Sequence, residues 1–230
     1  MPALLQRAPN APRIARSLLA ASLLSLVLVG CVRLLEPRPG RNITYYLLDS
    51  GLSADTALAD TTGVEVGLRR PRLAAYLDAA RMVTRRGPNA IQFSDSHRWG
   101  EDLDQAINRV VALNLERAPE IQSAEVVPWQ NGGRFDYIVQ LSVLRFEGVG
   151  PPPDPEEEEN DPPPEGHAQM VVRWTIFGPD GTEPVGQGIT RHREEGWPIT
   201  DYADLASKLD TSLVVLSRDV SSRLTTLASQ

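Results

Sequence analysis

The 230-residue chain contains one cysteine, Cys31, and three histidines, His97, His167 and His192. A lone thiol has no partner in the chain, so intrachain disulfides are excluded as a source of stability. Three scattered imidazoles without clustered cysteines do not compose a metal-ligand set. Also missing are GxSxG, HExxH and any glycine-rich phosphate loop, the short signatures of nucleophilic, metal-assisted and phosphoryl chemistry. No basic stripe runs through the sequence, which argues against nucleic acid as a partner. No apolar run reaches the roughly 20 residues a bilayer-spanning helix needs. The expectation is a protein without a cofactor, without a metal and without catalysis.

One absence is local. Residues 1–30 contain no Asp or Glu, but they contain Arg7, Arg13 and Arg16, and Ser17–Val29 is uncharged and mostly aliphatic. A positive start, a short apolar centre and small residues at the exit predict a secretory signal peptide over 1–30, outside the fold. Leu28-Val29-Gly30-Cys31 resembles the bacterial lipobox. That resemblance implies recognition of Leu28, Val29 and Gly30 by lipoprotein signal peptidase, cleavage before Cys31, a diacylglycerol thioether on its sulfur and acylation of the freed amine. One acyl chain holds a protein only marginally, at about 0.8 kcal/mol per buried CH₂, whereas two or three hold it effectively permanently. Val32 rather than Asp follows the cysteine. This favours the periplasmic face of the outer membrane over inner-membrane retention, which stays open as the alternative.

Removing the three leader arginines takes the formal charge from −7 to −10. Residues 148–166 supply −7 of that through Asp154, Glu156, Glu157, Glu158, Glu159, Asp161 and Glu165, with no Lys or Arg. This GPPPDPEEEENDPPPEG segment lacks large apolar side chains, its carboxylates repel one another and its prolines withhold backbone donors. It reads as a disordered insertion in an exposed hairpin. Glu156–Glu159 offer at most a loose cation site without fixed geometry.

The remaining chain predicts one domain over 45–230, joined to the lipid by a tether over 31–44. Tyr45–Leu48 is a candidate first strand, Ser50–Thr62 a loop and Val64–Leu68 a second strand. Met82–Arg85 and Ala90–Phe93 flank Arg86-Gly87-Pro88-Asn89 as a hairpin. Leu103–Ala118 and Tyr202–Leu227 carry apolar residues at helical spacing, the second with Thr200 or Asp201 as N-cap and a stripe suited to a sheet. Phe135–Val143, Met170–Ile176 and Val185–Arg193 read as a meander interrupted by the acidic insertion. The fold class is α+β: a mostly antiparallel sheet packed by two main helices.

Ser94-Asp95-Ser96-His97 brings together nucleophile, acid and base types, yet adjacent residues cannot normally fold back as a triad, so a turn into the first helix is expected. Arg85, Arg86, Arg98 and Trp99 are candidate surface residues. Their structural alternative is Arg85 on a solvated strand face and Trp99 as a core plug.

Several motifs occur in a characteristic order: Tyr45–Asp49, Val64–Gly67, Pro71, Ala75–Asp78, Met82–Arg85, Gly87–Asn89, Phe93, Arg98–Asp104, Leu144–Gly148, Trp174 and the long final helix. In this the chain resembles the PqiC family of ABC-type transport auxiliary lipoproteins, from about Tyr45 to Leu227. The insertion is longer than the usual hairpin there. The resemblance implies a non-catalytic part of an MCE-type lipid transport system linking inner and outer membranes and supporting envelope integrity. Its expected partners are an MCE-domain protein with its ABC or membrane components, the membrane through Cys31, and further copies in a ring. Two alternatives are an envelope binding module such as an activator of cell-wall synthesis, and a lipid hydrolase using His97.

Overall fold

Residues 42–49, 63–128, 134–152 and 164–230 are described by a computed structural model, in which Ile43–Gln230 forms one compact unit. The signal peptide, Leu28, Val29, Gly30, Cys31, nearly all of the tether, the loop 50–62 and the insertion centre 153–163 lie outside the described residues. In chain order the strands before the first helix are β1 (Thr44–Tyr46), β2 (Val64–Leu68), β3 (Arg72–Leu73), β4 (Arg81–Arg85) and β5 (Ile91–Trp99). A 3-10 turn at Ala75–Leu77 separates β3 from β4. Helix α1 (Leu103–Leu115) follows, then β6 (Ile121–Val126), β7 (Tyr137–Val149), β8 (Glu165–Phe177), β9 (Pro184–Pro198) and α2 (Tyr202–Ala228).

The long strand β7 organises the sheet. One edge pairs antiparallel with β8, and β8 with β9, giving the expected meander. Its other edge is shared by three short strands, all parallel to it: Val66–Leu68 against Tyr137–Val139, Arg72–Leu73 against Ser142–Val143, and Thr84–Arg85 against Gly148–Val149. Residues 66–85 thus form one interrupted edge. Bonds from Arg69 N to Val139 O and from Ala74 N to Val143 O, each 2.9 Å, continue the pairing beyond the strand ends. Pro71, which has no N–H to donate, sits in the first gap. From there β2 continues to β6, and β4 to β5 and the edge strand β1. The sheet is therefore mixed. Its long ladders are antiparallel, as expected, whereas the β1–β5, β2–β6, β2–β7, β3–β7 and β4–β7 pairings are parallel.

Both helices lie over the face that carries Val139, Leu141, Val143 and Phe146 of β7 with Ile176, Trp174, Val172 and Met170 of β8. On α2, Leu205, Leu209, Leu213, Leu216, Val220 and Leu224 are no more than 1% exposed. This stripe meets β7–β9 and also runs along α1, so sheet and partner helix share it. Asp201 caps α2 by accepting from Ala203 N and Asp204 N, both at 3.0 Å, a contribution of about 1 kcal/mol. Asp102 precedes α1, but its carboxylate takes Gln105 Nε2 at 3.1 Å instead of capping a backbone amide.

Two strand glycines on this face exist to seat tryptophans. Gly188 lies directly across from Trp174, whose indole covers it, and Trp174 Nε1 donates to Thr190 Oγ1 at 3.2 Å. Thr190 in turn donates to Asp219 Oδ2 at 2.6 Å, linking β8, β9 and α2. A Cβ on Gly148 would stand 2.5 Å from the ring of Trp197, which is fully buried. Close approach of a neighbouring side chain is a recognised reason for strand glycine.

Two sequence expectations are corrected. Ser94–His97 is part of β5, not a turn into α1. The ends of the acidic segment belong to the sheet: Gly148 and Val149 finish β7, and Glu165 and Gly166 open β8.

Candidate functional site: the β4–β5 cleft and the open edge at β1

Val83 faces Phe93 across the β4–β5 ladder, while Arg81 faces Arg98, so β5 advances further than β4 between these pairs. The surplus is a bulge at Ser94–His97. Ser94 Oγ accepts from His97 N at 3.0 Å and from Ser96 N at 3.4 Å, so a hydroxyl replaces the missing ladder partner. The bulge turns these side chains toward a cleft of about 610 Å³ that also meets Thr84, Arg86 and Tyr202.

His97 is held on two sides. Its Nδ1 bonds to the Tyr46 hydroxyl at 3.0 Å, and its ring stacks on Tyr202 with centroids 4.1 Å apart and planes 7° apart. Burial lowers the imidazole pKa from its ordinary value, and burial likewise raises that of the Tyr46 phenol. The Ser94 hydroxyl is engaged with backbone amides, and the imidazole is engaged with a phenol. Ser94 and His97 are built into the fold by these contacts.

Arg85 does not lie on a solvated face. Its Nε and Nη2 meet both oxygens of Glu147, at 2.6 and 3.4 Å, with the carboxylate fully buried and the guanidinium side chain 14% exposed. Tyr76 closes over this pair. Its hydroxyl donates to Leu144 O at 3.2 Å, and burial, reinforced by Glu147, pushes its pKa up to about 12. Trp99 is the core plug of the structural alternative, 5% exposed and tilted against Phe146 at 6.0 Å. Arg86 lines the cleft beside Gly150. Buried Nε atoms of Arg86 and Arg98 have no hydrogen-bond partner among the described residues.

The surface best shaped for a partner was not singled out from sequence. β1 is an edge strand, paired only with β5 among the described residues. Ile43, Tyr45 and Leu47 are 39%, 60% and 64% exposed, an alternating apolar stripe beside an open edge. The next residues lock this segment down. Leu48 is buried with its carbonyl accepting from Arg109 Nη2 at 3.0 Å, and Asp49 N donates to Asp210 Oδ2 at 2.9 Å. The signal that could have revealed the stripe is the alternation of Ile43, Tyr45 and Leu47 with Thr44 and Tyr46 in NITYYLL. Among the described residues no cluster of metal-ligating side chains occurs, and no helix is long and apolar enough to cross a membrane.

Comparisons with known proteins agree with this architecture. No curated protein matches the chain. A crystal structure of a Xanthomonas campestris protein superposes with a TM-score of 0.61 at 16% identity, covering 81% of this chain and 98% of that one. Another, of an uncharacterised protein, reaches 0.55 at 14% identity over 80% and 99%. The PelC dodecamer of Paraburkholderia phytofirmans matches at 0.38 and 11% identity over 68% and 90%, too loosely to bear on assembly. A family model described as the ABC-type transport auxiliary lipoprotein component matches residues 46–221. From the end of β1 to the last turns of α2, this chain belongs to the family of ABC-type transport auxiliary lipoproteins.

Proposed function

We propose that the chain is a non-catalytic lipoprotein, held by acyl chains on Cys31 at the periplasmic face of the outer membrane, that docks the MCE-domain protein of an ABC-type lipid transport system. The family match over 46–221 carries this reading. The outer edge of β1, which pairs only with β5 among the described residues, supplies the surface: with Ile43, Tyr45 and Leu47 beside it, it can add a partner's strand or a neighbouring copy. A head-to-tail contact through such an edge closes into a ring when the rotation per subunit permits.

A photo-crosslinking residue at Tyr45 in the lipidated protein, in living cells of its host, tests the reading. Recovery of an MCE-domain protein supports it. Recovery of a cell-wall synthase with no MCE protein rejects it in favour of an activator. Intact mass of the mature protein is expected to show acylated Cys31 at the N-terminus. Phospholipid hydrolysis by pure protein that disappears in His97→Ala would remove the non-catalytic part of the proposal.

A further inference from the structure

The face of β7–β9 turned away from the helices carries no element of its own over most of its length, and it is basic in a chain of net charge −7. Register places its residues in rows. Arg72 of β3 lies across from Ser142, which lies across from Arg173, which faces Ile189. One step along, Arg145 faces Val171, which faces Arg191; beyond it Glu147 faces Gln169, which faces Arg193. With neighbouring strands about 4.8 Å apart, Arg72, Arg145, Arg173 and Arg191 start from backbone positions within about 10 Å of their nearest neighbours. Arg72, Arg173, Arg191 and Arg193 are exposed.

Two of the carboxylates on this face are already spent, and a third, Glu165, stands at its far end beside Glu195. Glu147 is buried under Arg85, and Glu195 is bound to Arg193. Arg145 donates to Gln169 Oε1 at 3.0 Å, a neutral partner that leaves its charge uncompensated. No ion pair neutralises Arg72, Arg173 or Arg191 among the described residues. Between the guanidinium groups stand apolar residues in water: Leu144 at the β7 bulge is 40% exposed and Ile189 is 39% exposed.

We infer that this face binds the surface of a bilayer containing anionic phospholipid. Guanidinium groups pair bidentately with phosphate oxygens, and exposed Leu and Ile at the same level suit the boundary between headgroups and acyl chains. A lipoprotein is held beside such a surface in any case. Even fully extended, the residues between Cys31 and Ile43 reach only about 40 Å, comparable with the body itself, so the face stays within range of the membrane. This site lies on the opposite layer from the helices and is separate from the β1 edge. It rests on the chain's being a lipoprotein and not on the identity of its transport partner.

The chain from residue 32 onward, which keeps the whole compact unit and lacks the acyl anchor, is mixed with vesicles of phosphatidylcholine alone or with added phosphatidylglycerol. Capture by flotation is expected with the anionic vesicles, little with the neutral ones, and less at high salt. Each arginine near an anionic surface is worth about fivefold in binding, so Arg173→Gln with Arg191→Gln should weaken capture by roughly thirtyfold. Lys at both positions should restore most of it, and Arg218→Gln, on the helix layer away from this face, should leave it unchanged. Equal capture by both vesicle types, no capture by either, or full capture by the Gln pair overturns the inference. So does self-association that the Gln pair removes while vesicles capture nothing, which would assign the face to a protein neighbour. Vesicles contain no partner protein, so each of these failures is distinguishable from failure of Tyr45 crosslinking.

Discussion

The two faces of the β7–β9 sheet solve the same problem by opposite means. On the helix side, glycines under Trp174 and Trp197 and the apolar stripe of α2 fill space, with polar atoms tied into local bonds such as the Trp174–Thr190–Asp219 relay and Trp197 Nε1 to Asp201 O. On the open side, a fully buried carboxylate is held by one arginine and one tyrosine, and beyond it the face is charged and wet. The covered face is specified by shape and the open face by charge. Substitutions should therefore fail differently on each: through bulk on one, through an abandoned charge on the other.

The largest effect is expected at Arg85. Arg85→Ala leaves Glu147 buried without its partner, at a cost of about 3–5 kcal/mol. Replacing both members with apolar residues, Arg85→Met with Glu147→Leu, should recover most of the loss. Chemical denaturation of the single and double variants measures this. A loss below about 1 kcal/mol in Arg85→Ala would show that the pair behaves as an exposed one. The counterpart on the covered face is Gly148→Ala. Its methyl would press on the buried Trp197 ring, which cannot move aside, at about 1–3 kcal/mol. Trp197→Leu in the same chain should relieve that clash and turn the penalty into one for lost volume.

This contrast also separates what the sequence reveals from what it hides. The covered face is written locally. The stripe from Leu205 to Leu224, the Asp201 cap and the alternation along β8 each depend on residues close in the chain, and all were legible. The open face and the parallel edge are written at long range. Arg85 meets Glu147 from 62 positions away, so its burial leaves no trace in its own neighbours. β3 is two residues long and exists because β7 offers it an edge. Ser94–Ser96 looks like a turn because its polarity is real; tertiary pairing on both flanks makes it a bulge instead. The arginines of the open face come from separate strands and form no run, so only register assembles them.

Between the layers in size of effect stands Asp210 on α2. Burial is the main cause that pushes its carboxyl up to about 6, and Oδ1 has no hydrogen-bond partner among the described residues. The folded state therefore holds this proton through a pH range in which the unfolded chain has released it. Stability is lost as pH rises from about 4 to about 6 and is flat above, the reverse of a salt-bridged carboxylate. Asp210→Asn keeps an acceptor for Asp49 N and removes the charge. After allowance for partial exposure it should stabilise the protein by roughly 1 kcal/mol at neutral pH and by nothing below about pH 4. A variant equally stable with wild type at both pH values would show that the carboxylate is solvated.

The smallest expected change in stability is on the open face itself, in Arg173→Gln with Arg191→Gln. Both side chains are exposed and neither has an acidic partner among the described residues, so their loss should move stability by no more than about 0.5 kcal/mol. The sign should favour the variant, because removing like charges from adjacent rows relieves repulsion, and the gain should fade as salt screens it. Arg72, Arg173 and Arg191 thus stand without an acidic partner among the described residues, against the electrostatics of the folded state. Thermal melts at low and high salt read that repulsion directly. A destabilisation above about 1 kcal/mol would instead make these arginines structural, and the open face would then differ from the covered one only in composition.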